Sequence, residues 1–356
     1  METKWITSQQ PALVLAPMEG ITDAPMRALL TERGGFSFCV SEFLRISHET
    51  LPSRIFQEHV PEFNNNCRTP SGTPVQIQLL GGNEEKMALS AQQAYELGAG
   101  AIDLNFGCPS PLVNRNDGGA SLLRYPERIQ GIVSAVRKAV PQHIPVSAKL
   151  RLGWASMEDI YVNAEQAALG GASWITIHAR TKTQGYAPPA HWKYIAEVKR
   201  NLGIPVVANG EIWNLEDFLR CQEQTGCTHF MIGRGALANP KLAHQIAHQL
   251  GIPTSTQLET HSFTHPEHWD PILSRFSALT AHISQKVTQR ITHSQNHPHD
   301  HSQILTAPRE NNYTLCRIKQ WLKLAHLKNS LSPWFDEVKQ CKNLEEFFSI
   351  LRREGF

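Results

Sequence analysis

The stretch Ala101-Ile102-Asp103-Leu104-Asn105-Phe106-Gly107-Cys108-Pro109 decides the reading of the fold. Its apolar run stops abruptly at a glycine, a cysteine and a proline. This is the pattern of a buried strand ending in a rigid turn that holds one thiol at the strand's C-terminal tip. Cysteine is more often a small buried hydrophobe than a reactive group, so the thiol takes its meaning from the rest of the chain.

Working outward, strand-like runs recur at residues 12–18, 36–43 and 74–80 before it, and at 146–152, 172–178, 205–208 and 229–233 after it. Helical patterns over 23–33, 84–97, 126–140, 158–169 and 192–202 separate most of them, while the second run leads into an irregular segment rich in Asn, Pro and Ser. Strands alternating with helical crossovers call for a parallel sheet, and eight of them favour closure into a (β/α)₈ TIM barrel over an open doubly wound sheet. From about residue 242 the character changes. Ten of the chain's 17 histidines lie between His244 and His301, and helical spacing returns in YTLCRIKQWLKLAHL and again over 344–353. The expectation is an α/β barrel domain over 1–245, then a small all-helical domain over 246–356 with a His-rich loop near 255–311. The tract from His293 to His301 reads as a solvated loop rather than a metal site, because no second ligand cluster supports it.

Composition narrows the function. Lys and Arg number 34 against 32 Asp and Glu, a net charge of +2, so any polyanion site must come from local clustering. No run approaches the ~20 apolar residues of a spanning helix, and the opening METKWITSQQ lacks a signal core. Seven cysteines without a C-x-x-C pair suit a reducing cytosol. A cytoplasmic protein without membrane attachment is expected.

In a TIM barrel the C-terminal strand tips converge on one mouth. Standing there are Pro17, Met18 and Glu19 from the first strand, Gln78 from the third, Asn105 and Cys108 from the fourth, and Lys149 and Arg151 from the fifth. His178 to Lys182 follow the sixth, Asn209-Gly210-Glu211 the seventh, and Gly233-Arg234-Gly235 the eighth. The last two turns suit a phosphate, since glycine lets backbone N–H groups approach an anion and Arg234 adds a charge-assisted contact. Alternation along the fifth strand places Lys149 inward and Ser147 outward; an unpaired buried lysine is costly and should face an anion or an electron-rich group, a structural salt bridge being the alternative. His178 beside them reads as a ligand contact rather than a core histidine, and Gln78 offers both donor and acceptor to a ring. A phosphate-tailed heterocycle that becomes anionic on reduction fits these groups, and flavin mononucleotide (FMN) is one. Basic residues with interleaved aromatics, among them Arg45, Arg115, Arg180, Arg317, Lys319, Trp154, Tyr186 and Trp321, form either solvated faces or the rim of a polyanion site.

These residues resemble the tRNA-dihydrouridine synthase family. The match runs through Ala16-Pro17-Met18-Glu19-Gly20, Leu104-Asn105-Phe106-Gly107-Cys108-Pro109, Gly118-Gly119-Ala120, Lys149-Leu150-Arg151-Leu152-Gly153, His178-Ala179-Arg180-Thr181, Asn209-Gly210-Glu211 and Gly233-Arg234-Gly235. Arg68-Thr69-Pro70-Ser71-Gly72-Thr73 and Arg317-Ile318-Lys319-Gln320-Trp321-Leu322 look most like the bacterial C-type branch, which modifies uridine 16 of the D-loop. The resemblance implies an FMN barrel with a helical tRNA-binding domain, flavin reduction by NADPH, and hydride delivery to uracil C6 with Cys108 protonating C5. It further implies that Pro17, Met18, Glu19, Gln78, Lys149, His178, Asn209, Gly210, Glu211, Gly233 and Arg234 contact FMN. Arg45, Asn105, Tyr186, Arg317, Lys319 and Lys339 would meet tRNA, with no obligate protein partner. Two rivals stand beside it: a dihydroorotate-type dehydrogenase on a similar barrel, which needs no basic C-terminal helices, and an RNA-binding protein on a barrel without activity, which needs no Cys108, Lys149 or His178.

Overall fold

A computed structural model describes residues 5–47, 49–254, 263–295, 312–329, 331 and 333–353. Eight parallel strands close into a barrel: β1 (Ala12–Leu15), β2 (Phe38–Val40), β3 (Val75–Leu80), β4 (Ile102–Phe106), β5 (Val146–Arg151), β6 (Ile175–His178), β7 (Val206–Asn209) and β8 (His229–Ile232). Each pairs in parallel with its neighbours, β1 pairs with β8, and closure runs through Cys39 opposite Val75 and Val40 opposite Gln76. The (β/α)₈ expectation is correct.

Strand alternation sorts the residues into two layers. Leu13, Leu15, Ile77, Leu79, Ile102, Leu104, Ala148, Leu150 and Ile177 point outward into the large apolar cluster shared with the surrounding helices. The other parity faces the barrel interior, and there the lining is divided. Val14, Ala16, Phe38, Val40, Val207 and Met231 form an apolar cluster with Trp174 and Ile6. On β3, β4 and β5 the inward positions are instead Gln76, Gln78, Asp103, Asn105, Ser147 and Lys149, with Gln78, Asp103 and Ser147 in one row of the register and Asn105 opposite Lys149 in the next. Ser147 therefore shares the inward face of Lys149 rather than facing outward, as a period of two requires for residues two apart.

Two stretches differ from the sequence-based expectation. The second strand run breaks after Val40 and resumes only as Leu44–Arg45, which pairs with Leu79 and Leu80 at the mouth end of β3. Ser41 turns its hydroxyl to the Gln78 N–H at the break, so local bonding replaces the ladder there. The segment expected to be irregular after this strand contains an α-helix, Ser53–His59, and a 3₁₀ turn, Pro61–Asn65. Phe56 anchors the helix in the core at 0% exposure. Its single anchor leaves no apolar periodicity to read.

The chain divides into two compact units, the first Met1–Ala236 with Lys241–Leu258, the second Leu237–Pro240 with Glu259–Phe356. Helix Leu242–Gln249 belongs with the barrel, its Leu242 and Ile246 buried in the barrel's outer cluster. In the second unit, Pro266–Gln295 is one helix of 30 residues where a His-rich loop is expected. Trp269, Ile272, Leu273 and Phe276 recur at helical spacing and are buried, a signal hidden by the polar residues between them. Helices Asn312–Asn329, Trp334–Val338 and Leu344–Leu351 follow, around a core in which Trp321 meets Trp269 and Phe276 edge-on. Of the histidine tract, His297, His299 and His301 lie outside the described residues. Among the described residues no cluster of His, Cys, Asp and Glu is arranged to hold a metal ion, and no helix is long and apolar enough to cross a membrane.

Candidate active site

The strand tips of the first unit enclose a cavity of about 440 Å³, within the range of small-molecule and cofactor sites. Pro17, Met18, Glu19, Gln78, Lys149, His178, Asn209, Gly210, Glu211, Gly233 and Arg234 all line it, and so do Cys108, Asn105 and Tyr186. Arg45 is not part of the lining; it sits on the short strand beside Leu80, half-buried. Arg317, Lys319 and Lys339 belong to the second unit. There Arg317 donates to Gln320 Oε1 at 2.8 Å, Lys319 donates to the Cys341 carbonyl, and Lys339 pairs with Asp336.

Cys108 is held from several sides. Asn105 Oδ1 accepts the N–H groups of Gly107 at 3.0 Å and Cys108 at 2.9 Å, so the side chain at the strand's end caps the turn that follows. The Cys108 carbonyl accepts from Ala120 N at 3.1 Å. Gly119, at φ +59°, lets that strap pass so close that a Cβ there would stand 3.0 Å from Cys108 Cβ, which is why glycine occupies the position. Arg151 supplies a clamp: its Nε donates to the Gly107 carbonyl at 2.9 Å, and its Nη1 to the carbonyls of Thr181 at 2.9 Å and Gly185 at 2.7 Å. Burial pushes the Cys108 thiol above its usual range, so it stands protonated at neutral pH.

The electrostatics of the pocket favour an anion. Burial, and then the nearby Arg151, bring Lys149 down to about 8, leaving it mostly charged at neutral pH. Burial, followed by the charges of Arg151, Lys149, Arg180 and Arg234, keeps His178 well below its ordinary value and therefore neutral. Its Nδ1 is buried and has no hydrogen-bond partner, as is Nη1 of Arg180. Buried polar atoms are nearly always satisfied, so the orphan on His178, which lines the cavity, points to a bound partner with a polar group. Glu211 is the local counter-charge. Burial alone would raise it, but its hydrogen bond from Arg180 and the charges of Arg180 and Arg234 hold it below the usual carboxylate range.

The last two turns are closely fitted. A Cβ on Gly235 would come within 2.1 Å of the Ile212 carbonyl, so the β8 turn packs on the β7 turn only because the residue is glycine. Arg234 lies 4.7 Å from the ring centres of both Tyr186 and Trp213, and 3.9 Å from Glu211. Tyr186 also stands edge-on to His178 and 5.2 Å from the Arg151 guanidinium. An arginine braced by two rings and a carboxylate is pre-positioned rather than free to swing.

Two pocket features escape the sequence reading. Trp213, one face of the Arg234 brace, sits in a turn with no periodicity to announce it. Asp103 lies buried beneath the cavity floor and bonds both Gln78 and Ser147. Its signal is present in the chain: a polar residue two before Asn105 on an otherwise apolar strand must face the same interior.

A family profile described as dihydrouridine synthase (Dus) matches residues 14–348. The chain is 39% identical over 347 residues to the tRNA-dihydrouridine(16) synthase of Neisseria meningitidis serogroup A, covering 96% of this chain and 94% of that protein. It is 49% identical over 342 residues to the tRNA-dihydrouridine(16) synthase of Shewanella oneidensis, covering 96% and 97%. Among solved structures, histamine dehydrogenase from Rhizobium sp. 4-9 shares the fold at a TM-score of 0.51 and 14% identity, over 67% of this chain and 46% of that one. A cavity built from the Cys108 turn and two glycine turns, inside a barrel matched over nearly its whole length, places the chain in the dihydrouridine synthase family.

Proposed function

We propose that this protein reduces uridine to 5,6-dihydrouridine in the D-loop of tRNA, at position 16, using FMN and NADPH. The observation that carries the reading is Cys108: a protonated thiol at the rim of a cationic cavity, its backbone fixed by Asn105 and Arg151. The full-length similarity to synthases of position 16 in other bacteria supports the substrate and the site.

The residues present suit FMN. Lys149, Arg180 and Arg234 supply positive charge, Glu211 pairs with Arg180 and Arg234, and the orphaned Nδ1 of neutral His178 awaits a polar partner. Gly210 and the Gly233 to Gly235 turn would receive the phosphate on their N–H groups with Arg234 beside it. Gln78 and Lys149 would face the ring, and Pro17, Met18, Glu19, Asn209 and Glu211 would complete the walls. When bound, reduced FMN supplies the hydride for uracil C6.

The chain's own residues do the rest. Cys108 donates its proton to C5 as negative charge develops there, a general-acid role worth about 10²–10⁴ in rate. Its raised pKa keeps the proton available at neutral pH, and Lys149 holds positive charge where anionic character builds. Asn105 and Tyr186 line the approach, where an extruded base meets an amide edge and an aromatic face. Arg45, Arg317, Lys319 and Lys339 would hold phosphates of the tRNA. The reading places the enzyme in the cytoplasm and calls for no obligate protein partner.

The test is direct. Purified protein should release FMN on denaturation and, with NADPH, convert unmodified tRNA to tRNA containing dihydrouridine. Free orotate or uracil turned over in place of tRNA would favour the dehydrogenase rival, and a colourless protein that binds tRNA without turnover would favour the inactive binder.

A further inference from the structure

Beneath the cavity floor, two hydrogen-bond chains run toward each other across β3, β4 and β5. The first starts at a backbone carbonyl. Gln76 Nε2 donates to Ile102 O at 3.0 Å and to Ser147 Oγ at 2.9 Å, and the Ser147 hydroxyl donates its proton to Asp103 Oδ1. The second starts at backbone amides. The N–H groups of Gly107 and Cys108 donate to Asn105 Oδ1, Asn105 Nδ2 donates to Gln78 Oε1 at 2.8 Å, and Gln78 Nε2 donates to Asp103 Oδ2 at 2.7 Å.

Both ends are anchored in main-chain groups whose donor or acceptor character cannot change. The directions of the amide bonds between them are therefore set, and the fully buried Ser147 hydroxyl spends its proton on Asp103, so all of them point at residue 103. That position must accept on both oxygens, which an ionised carboxylate does and an amide cannot. We propose that Asp103 is a positioning residue: as the acceptor on which both chains converge, it dictates which way the Gln78 and Asn105 amides face, and so presents Asn105 Oδ1 to the Cys108 turn. It acts through Asn105 and does not line the cavity.

The proposal rests on the reading of Cys108 as the proton donor, but its consequences begin in the backbone. In Asp103→Asn, turning Nδ2 toward Ser147 would take the acceptor away from a fully buried hydroxyl proton, so that proton keeps the new Oδ1 and Nδ2 is left against Gln78 Nε2. Rotating Gln78 passes the donor–donor conflict to Asn105, and rotating Asn105 passes it to the turn. The mismatch comes to rest at the turn, because Asp103 and Gln78 are 2% and 0% exposed while Gly107 and Cys108 border the cavity, where water can take up a released N–H. A second carboxylate cures it. In Asp103→Asn with Asn105→Asp, a rotated Gln78 accepts from Asn and donates to Asp, whose other oxygen again receives both amides.

The experiment is hydrogen–deuterium exchange of the 104–110 segment, with steady-state kinetics on the same preparations. Asp103→Asn should raise exchange at Gly107 and Cys108 by at least ~10-fold, and lower kcat by a similar factor with KM for tRNA unchanged. The double variant should restore protection of both amides. Unchanged exchange in the single variant overturns the proposal. So does a double variant that folds without regaining protection, or one that folds no better than a single variant that fails to fold. Because exchange needs no turnover, wild-type protein that makes no dihydrouridine would defeat the proposed function and leave this result standing.

Discussion

At the scale of single residues, the chemistry turns on what burial does to one thiol. Cys108 sits above its usual pKa because its surroundings desolvate the thiolate, so it is protonated at neutral pH, and the proposed proton donation would be lost only as pH rises through the elevated value. Two outcomes follow. Cys108→Ala should keep FMN and tRNA binding while dihydrouridine formation falls by about 10²–10⁴; normal turnover in that variant would remove Cys108 as the acid. Alkylation of Cys108 by iodoacetamide, followed by peptide mass spectrometry, should accelerate only above the ordinary cysteine range, and an inflection below it would mean an activated thiolate and a different role. Arg234, braced by Tyr186, Trp213 and Glu211, has a separate expectation. Arg234→Ala should lower the fraction of protein purified with flavin, and undiminished occupancy would argue against the phosphate role.

At the scale of elements, the turns after the strands shape the cavity together with the strand ends. The Gly235 turn packs against the Ile212 carbonyl so closely that Gly235→Ala must push the β7 and β8 turns apart. Overpacking of this kind costs about 1–3 kcal/mol, and here it should appear both as a lower melting temperature and as weakened FMN retention. An unchanged melting temperature would show that the turn yields freely. The same scale shows what is legible in the sequence. Eight strand runs and the mouth residues at their tips can be read because period-two alternation and Gly-Cys-Pro or Asn-Gly punctuation are local signals. The helices of 53–59 and 266–295 cannot, since one fully buries Phe56 alone and the other sets its apolar stripe among Asp270, Ser274 and Arg275. Asp103 is legible as an inward-facing residue, but the positioning role proposed for it is not, because it lies in the direction of hydrogen bonds crossing three strands, and register appears only when the barrel closes.

At the scale of the molecule, the proposed function divides the labour between the two compact units. The barrel unit contains every residue of the cavity, and the helical unit contains Arg317, Lys319 and Lys339. Within the helical unit Lys319 donates to the Cys341 carbonyl, Lys339 pairs with Asp336, and Arg317 Nη1 donates to Gln320 Oε1. Arg317→Ala and Lys319→Ala should weaken tRNA binding and reduce the slope of log affinity against log salt by ~1 for each phosphate no longer neutralised. Binding curves unchanged in both affinity and salt slope would remove the helical unit as the tRNA grip. The proposed function joins chemistry in the barrel to placement on tRNA. Dihydrouridine mapping of tRNA from cells lacking this gene, with and without the gene restored, tests both together. Loss at position 16 alone, recovered on restoration, is the predicted result; dihydrouridine still present at position 16 in the deleted strain would contradict it.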